Sequence, residues 1–193
     1  MTTGVQAHSC PTLLGERIQL KAVESMDAAD FMSMWQDEDF ARAAGIEATR
    51  DLEGLAQSLE RFALMNTSGL FYKWTIRLSE DDRFIGEVET YPLKPQTSPW
   101  IEWGVGYSLA RSFWGRGLMH EALSMVLNHL FKNGLAQRVR ADVGIQNDRS
   151  QRLLQRLGFR HEGLQEAKNL LHGEPVDMQL WAISRQRFLM SQS

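Results

Sequence analysis

The sequence predicts one α/β (α+β) domain built on a mixed sheet. Segments of alternating polar and apolar residues are separated by segments of helical periodicity, and no repeat, linker or low-complexity stretch divides the 193 residues. The stretch 100–131 is the most informative. There an apolar strand ends near Leu109, a glycine-bearing turn follows, and a helix with a broad apolar face begins at Leu118.

Before residue 100, the pattern predicts a strand, two helices and a hairpin. Ser25 is a suitable N-cap for the first helix, and Asp27 is a favourable acid in its first turn. The second helix carries leucines at helical spacing and is stopped by a polar segment containing Gly69. The predicted bounds are a strand at 17–22, a helix ending near residue 37, a helix at 51–65, and strands at 71–78 and 84–91.

After residue 131, the pattern returns to strands around one short helix. Residues 138–143 alternate as a strand, and Asn147 can cap a helix that Gly158 closes. An extended piece starts at Phe159, a turn is expected at 170–175, and a last strand is expected at 176–183.

Composition and charge exclude several classes of protein. The net charge of −3 and the pI near 6.0 argue against nucleic acid as a partner. No apolar run is long enough to span a membrane, and the N-terminus does not read as a signal peptide, so we expect a cytoplasmic protein without a membrane partner. Residues 1–12 are expected to form a flexible tail that contains the only cysteine, Cys10, and no metal site is expected.

The glycine turn is a candidate phosphate site. A strand, a glycine turn and a helix together present backbone N–H groups at a helix N-terminus, where the helix dipole also attracts anions. Gly115 and Gly117 let a ligand approach the backbone, and Arg116 adds a cation. The turn lacks the third glycine of a dinucleotide fingerprint, and a turn that serves only chain reversal is an equal alternative on this motif alone.

Three motifs together resemble the GCN5-related N-acetyltransferase (GNAT) superfamily. They are the W-G-R-G turn with its helix, the N-x-x-S…L-G-F segment from Asn147 to Phe159, and the closing H-G-E-P-V-D-M-Q-L-W-A. Within the superfamily the chain looks most like the ribosomal-protein N-terminal acetyltransferases (RimJ/RimL type). The resemblance covers 16–188 and implies one domain at 13–190, with six or seven strands, helices on both faces of the sheet, and acetyl-CoA between two splayed strands.

The resemblance also implies the residues that contact acetyl-CoA. Strand backbone at Tyr107, Ser108 and Leu109 would hold the pantetheine and acetyl group, Asn147 would reach the pantetheine, and Ser150 would lie near the thioester sulfur. The pyrophosphate would be wrapped by the turn and the first helical residues, namely Phe113, Trp114, Gly115, Arg116, Gly117, Leu118 and Met119. Ser112 departs from the Gln or Arg common at its position, so the site relies more on backbone N–H groups and Arg116.

Acetyl transfer to an amine needs a base and a proton donor for the leaving thiolate. Glu102 is the candidate base and Ser150 the candidate acid, because the branch's usual glutamate position holds Gly104 and the superfamily's usual tyrosine position holds Leu154. A water chain from Glu102, or from Glu87 or Glu89 on the neighbouring strand, would also serve. That Glu102 is merely a solvent-facing strand residue is an equal alternative.

Two functions follow from these residues. The first is an acetyl-CoA-dependent N-acetyltransferase that passes acetyl directly to a primary amine, either a protein N-terminus or a small molecule. The second is a non-catalytic acyl-CoA-binding or regulatory module, which Gly104 and Leu154 favour. A homodimer is compatible with the resemblance.

Overall fold

A computed structural model of the chain describes residues 9–37, 40, 51–69, 71–94, 98–171 and 174–191. These residues form eight strands and five α-helices. The strands are β1 (Leu13–Leu14), β2 (Ile18–Ala22), β3 (Tyr72–Leu78), β4 (Phe84–Pro92), β5 (Glu102–Leu109), β6 (Arg138–Gly144), β7 (Arg160–Leu171) and β8 (Glu174–Ser184). The helices are α1 (Ala28–Trp35), α2 (Leu52–Met65), α3 (Leu118–Lys132), α4 (Asp148–Arg156) and α5 (Arg185–Met190).

All eight strands belong to one mixed sheet in the order β1-β2-β3-β4-β5-β6-β8-β7. Neighbouring strands are antiparallel except β5 and β6, which are parallel and are connected through α3. The predicted α/β class is therefore confirmed. The sheet has one strand more than the upper expectation, and the two-residue β1 is too short to leave an alternation in the sequence.

Alternation along β3 separates the two faces of the sheet. Tyr72, Trp74 and Ile76 belong to the main hydrophobic core, which also contains the apolar face of α3. Lys73 and Arg77 point to the opposite face, where Arg77 pairs with Asp27 and Asp30 beside α1. A smaller core joins α1 to α2 on this second face. The helices thus lie on both faces, and the second face is polar near its centre.

The C-terminal helix α5 was not predicted from the sequence. Phe188 is buried and packs on Phe131 with ring centroids 5.2 Å apart. Arg185 Nε donates to the Phe131 carbonyl at 2.7 Å, and Arg187 Nε donates to the Gly158 carbonyl at 2.8 Å. Helix α5 is therefore bound to the C-terminal ends of both α3 and α4.

The start of the described chain packs on the domain. Cys10 is half-buried, its N–H donates to the Asn66 carbonyl at 2.9 Å, and the Trp74 indole donates to the Pro11 carbonyl at 2.8 Å. Of the flexible tail predicted at 1–12, residues 1–8 lie outside the described part of the chain. The expected turn at 170–175 falls in part on residues 172–173, which are also outside them.

Candidate active site

Strands β5 and β6 diverge after a short paired segment. They pair at Glu102–Gly104 and Arg138–Arg140. Strand β5 then continues to Leu109 along β4, and β6 continues to Gly144 along β8. The two strands therefore open a gap on the side of the sheet where the glycine turn follows β5, as the resemblance implies.

Backbone direction decides which residues of β5 face this gap. At the C-terminal end of β5, the Ala110 N–H donates to the Ile85 carbonyl of β4. At the N-terminal end, the Ile101 carbonyl accepts from the Gln137 N–H, on the side of β6. Because successive backbone groups point to opposite edges of a strand, Val105, Tyr107 and Leu109 face β6 and the gap. Ser108 faces β4 with its backbone, and its hydroxyl donates to Glu87 Oε1 at 2.9 Å. Of the three residues predicted to offer backbone to acetyl-CoA, Tyr107 and Leu109 therefore face the gap, whereas Ser108 faces β4.

The glycine turn has the left-handed backbone that glycine accommodates best. Gly115 and Gly117 have φ of +76° and +77°. A Cβ atom on Gly115 would have no neighbour within 4 Å among the described atoms, and one on Gly117 would meet only Arg17 Nη2 at 3.6 Å. Gly117 is also the N-cap of α3, so the N-terminus of this helix faces open space beside the turn.

Arg17, in the loop between β1 and β2, holds this turn in place. Its N–H and Nε donate to the two carboxylate oxygens of Glu121 at 2.9 and 2.8 Å, and Nη1 donates to the Arg116 carbonyl at 2.9 Å. Burial alone would raise the pKa of Glu121, but the hydrogen bonds from Arg17 outweigh it and lower that pKa below its ordinary value. The loop between β1 and β2 is a part of the site that the sequence analysis missed.

The predicted pyrophosphate residues divide into backbone and side-chain groups. Phe113, Leu118 and Met119 are 9%, 5% and 8% exposed, so a pyrophosphate would meet mainly their backbone. Trp114 donates from its indole to the Leu109 carbonyl at 2.6 Å, and the guanidinium of Arg149 lies 4.3 Å from its ring centroid. The Trp114–Arg149 contact joins the turn to α4 at the mouth of the gap.

Tyr107 and Ser150 meet across the gap. Burial raises the pKa of the Tyr107 phenol to about 12, and the nearby Ser150 side chain acts in the opposite direction. The Ser150 N–H donates to Asn147 Oδ1 at 3.1 Å, which makes Asn147 the N-cap of α4. The structure thus brings together three predicted site residues from two elements.

Glu102 lies in an ion-pair network at the closed end of the gap. Arg138 Nε donates to its Oε1 at 2.9 Å, and Lys94 Nζ lies 3.9 Å from its Oε2. Arg138 also forms a two-pronged pair with Glu162 on β7. These contacts tie β5, β6 and β7 together. They leave the Glu102 side chain only 12% exposed, so Glu102 is not the solvent-facing strand residue that the sequence offered as the alternative.

Two glycines of β5 are covered by side chains of β4. A Cβ atom on Gly104 would lie 2.4 Å from ring carbon Cε2 of Tyr91, and one on Gly106 would lie 3.1 Å from Glu89 Oε1. The departure at Gly104 therefore has a physical cause, because Tyr91 occupies the space of a side chain there. Alternation in β4 does place Glu87, Glu89 and Tyr91 on one face, but only the strand register sets them over the glycines.

A buried cation joins the two glutamates of β4. Lys73 is 4% exposed, pairs with Glu87, and lies 2.8 Å from Glu89 Oε2. Burial alone would lower the pKa of Lys73, but the two carboxylates outweigh it and raise that pKa above its ordinary value. The sequence analysis did not single out Lys73, since a lysine in a strand is usually exposed.

Two open clefts flank Phe113. One, of about 570 Å³, is lined on one side by Asp30 and Asp37 and on the other by the residues following β5. The other, of about 560 Å³, is bordered by three cations, Arg17, Arg83 and Arg116. Neither cleft extends into the gap. Within the described ranges, no three His, Cys, Asp or Glu side chains are grouped to hold a metal ion, and no helix is long and apolar enough to cross a membrane.

Comparison with known proteins gives matches along most of the chain. The acetyltransferase (GNAT) domain family matches residues 17–160. The uncharacterized N-acetyltransferase p20 of Bacillus licheniformis is 25% identical over 177 residues, which span 92% of this chain and 98% of that protein. The ribosomal protein uS5-alanine N-acetyltransferase of Escherichia coli K12 is 35% identical over 80 residues, 42% of this chain and 41% of that protein.

A solved structure shares the fold. Spermidine N-acetyltransferase from Vibrio cholerae, in complex with CoA and spermine, matches with a TM-score of 0.77 at 15% identity, covering 91% of this chain and 99% of that one.

Proposed function

Because the chain belongs to the acetyltransferase (GNAT) domain family, we propose that it transfers the acetyl group of acetyl-CoA directly to a primary amine while both substrates are bound. The family predicted from the sequence is confirmed, and its relatives include a ribosomal-protein acetyltransferase. The observation that carries the proposal is the gap between β5 and β6, whose open edge leads into the left-handed glycine turn and the N-terminus of α3.

The gap and the turn suit different parts of acetyl-CoA. Amide groups of the turn and of the first turn of α3, with Arg116, would hold the pyrophosphate. The gap-facing backbone of Val105, Tyr107 and Leu109 would hold the pantetheine and acetyl group in a strand-like manner. A backbone N–H among them would donate to the oxyanion that forms when the amine attacks the thioester. Asn147 would contact the pantetheine from the far side of the gap.

Direct transfer fits the state of the only thiol. Cys10 is half-buried, and burial raises its pKa to about 12. The thiolate is the nucleophilic form, so Cys10 is a poor candidate for an acyl-enzyme intermediate at neutral pH. Ser150, whose side chain lies near the buried Tyr107 phenol, is the candidate proton donor to the departing CoA thiolate.

The acceptor is a protein N-terminus or a small amine. One relative is an alanine N-acetyltransferase of a ribosomal protein, and one protein of the same fold is a spermidine acetyltransferase. A screen of amines, including spermidine and peptides that begin with Ala or Ser, tests the proposal through CoA release measured with a thiol reagent. A Cys10→Ser variant is the matched control, because it removes the protein's own thiol from the readout.

We expect turnover with at least one amine class, in both the wild-type protein and the Cys10→Ser variant. Calorimetric binding of acetyl-CoA without turnover of any amine would instead favour the non-catalytic acyl-CoA-binding module.

A further inference from the structure

We propose that Arg17, which lies outside the glycine turn, is a positioning residue for acetyl-CoA and sets the backbone amides that hold the pyrophosphate; this rests on the proposed function. Arg17 Nη1 donates to the Arg116 carbonyl at 2.9 Å. Because the peptide group is planar and trans, the N–H of Gly117 points away from that carbonyl and hence away from Arg17. Among the described residues no backbone carbonyl accepts from this N–H, so it is available to a phosphate oxygen.

The carbonyl on the other side of Gly117 is held by the same closed ring of hydrogen bonds. The Glu121 N–H donates to the Gly117 carbonyl at 3.1 Å. The Glu121 carboxylate in turn accepts from the N–H and Nε of Arg17 at 2.9 and 2.8 Å. Both peptide groups that flank Gly117 are therefore fixed, and with them the directions of the Gly117 and Leu118 N–H groups at the start of α3.

Gly15 allows Glu121 to come this close to the loop between β1 and β2. A Cβ atom on Gly15 would lie 2.7 Å from Glu121 Oε1 and 2.8 Å from Met125 Sδ, both on α3. A side chain at this position would therefore displace the Glu121 carboxylate from Arg17. The loop and the helix, whose contacting residues are 104 positions apart in the sequence, fit each other in this way because residue 15 is a glycine.

Charge gives Arg17 a second effect on a bound phosphate. Glu121 lies in the first turn of α3, where its carboxylate alone would repel a pyrophosphate. Arg17 neutralises this carboxylate, and Arg17 Nη2 lies 3.6 Å from the position that a Gly117 Cβ would take. The cleft on this side also has four other charged side chains, namely Arg83, Arg116, Glu16 and Glu80. Loss of Arg17 would therefore leave two cations facing three carboxylates there.

Calorimetric titration with acetyl-CoA tests the assignment in Arg17→Met, with Lys94→Met as the matched control. The two ion pairs are similarly exposed, at 48% and 16% for Arg17 and Glu121 and at 47% and 12% for Lys94 and Glu102. We expect Arg17→Met to raise the Kd for acetyl-CoA about 10- to 100-fold, as for the loss of a charge-assisted hydrogen bond. Lys94→Met should change it by about twofold or less.

Arg17→Lys separates position from charge. Lysine keeps the positive charge, but its single ammonium lacks the fork that reaches both the Glu121 carboxylate and the Arg116 carbonyl. We therefore expect Arg17→Lys to recover only part of the affinity. Wild-type affinity in Arg17→Lys would show that charge alone acts and would overturn the positioning role, as would wild-type affinity in Arg17→Met.

A donor without phosphates distinguishes positioning from a general loosening of the fold. S-acetylpantetheine carries the same thioester as acetyl-CoA but lacks the pyrophosphate and the nucleotide. Arg17→Met should raise KM for acetyl-CoA with kcat unchanged, and should leave kcat/KM for S-acetylpantetheine at the wild-type value. Equal losses with the two donors would contradict a role at the phosphates.

Amide NMR gives a readout that does not depend on turnover. In ¹⁵N-labelled protein, CoA should shift the amide resonances of Gly117 and Leu118, and Arg17→Met should require a higher CoA concentration for the same shift. Arg17-dependent shifts without turnover of any amine would refute catalysis alone. Turnover with equal CoA affinity in wild type and Arg17→Met would refute the role of Arg17 alone, and absence of both CoA binding and turnover would refute both.

Discussion

Gly117 is constrained twice, by its backbone and by its position at the candidate phosphate site. Its φ of +77° costs any residue with a Cβ about 1–2 kcal/mol. We expect Gly117→Val to lose at least that much stability and to weaken acetyl-CoA binding more than tenfold, or about 1.4 kcal/mol, because the side chain fills the open approach to the helix N-terminus. Calorimetric titration and urea unfolding measure the two effects.

Gly134 provides the matched control. It has a φ of +70° at the other end of α3, and no described atom lies within 4 Å of the position that a Cβ would take there. Gly134→Val should therefore lose comparable stability but keep acetyl-CoA affinity. Equal affinity loss in the two variants, or none in either, would contradict a phosphate site at the turn.

Lys73 is the buried charge with the largest expected effect on stability. Replacing it with Met leaves Glu87 and Glu89 without their cation, and breaking a buried pair costs about 3–5 kcal/mol. Lys94→Met is the control, since Lys94 is half-exposed and its pair with Glu102 at 3.9 Å should contribute less than about 1 kcal/mol. Urea unfolding at pH 7.5 measures both.

The pH dependence of this effect has a defined sign. The pKa of Lys73 is raised above its ordinary 10.5 in the folded protein. The stabilisation is therefore complete below pH 10.5 and is lost as the pH rises through the folded value. We expect the difference between wild type and Lys73→Met to narrow at strongly alkaline pH. A difference that stays constant or widens there would mean that the ammonium charge is not what stabilises the fold.

At the scale of elements, the open edge of β5 is the feature that organises the site. Hydrogen exchange followed by NMR tests it residue by residue. We expect the amides of Val105, Tyr107 and Leu109 to gain protection when acetyl-CoA binds, because they face the gap. The amides of Gly106 and Ser108 already face β4 and should change little. Equal changes at odd and even positions would contradict the direction assigned to the strand.

The sequence predicted this element well but not its partners. The run ending at Leu109, the glycine turn and the helix from Leu118 are local patterns, and their bounds agree with the structure. The pair between Glu102 and Arg138 is a contact over 36 residues and depends on parallel register, which local periodicity does not encode. The position of Tyr91 over Gly104 likewise depends on strand register. The sequence could therefore limit the candidate base to a few glutamates but could not select one of them.

At the scale of the whole molecule, the two ends of the chain were the least predictable parts. Strand β1 has two residues and α5 has six, which is too short for either periodicity to be recognised. The central order of strands and helices was predicted because each element there is long enough to repeat its pattern. Helix α5 nonetheless matters for the site, since it holds the C-terminal ends of α3 and α4, whose N-termini flank the gap.

Phe188 tests whether α5 belongs to the cooperative unit. It is 2% exposed and packs on Phe131, so Phe188→Ala should cost about 3–5 kcal/mol in the free energy of unfolding. Met190→Ala on the same helix is the control, because Met190 is 71% exposed and should change stability by less than about 0.5 kcal/mol. A loss below about 1 kcal/mol for Phe188→Ala in urea unfolding would show that α5 docks without supporting the fold. With the expected loss, α3 and α4 are held at both ends, by the glycine turn and Asn147 at their N-termini and by α5 at their C-termini.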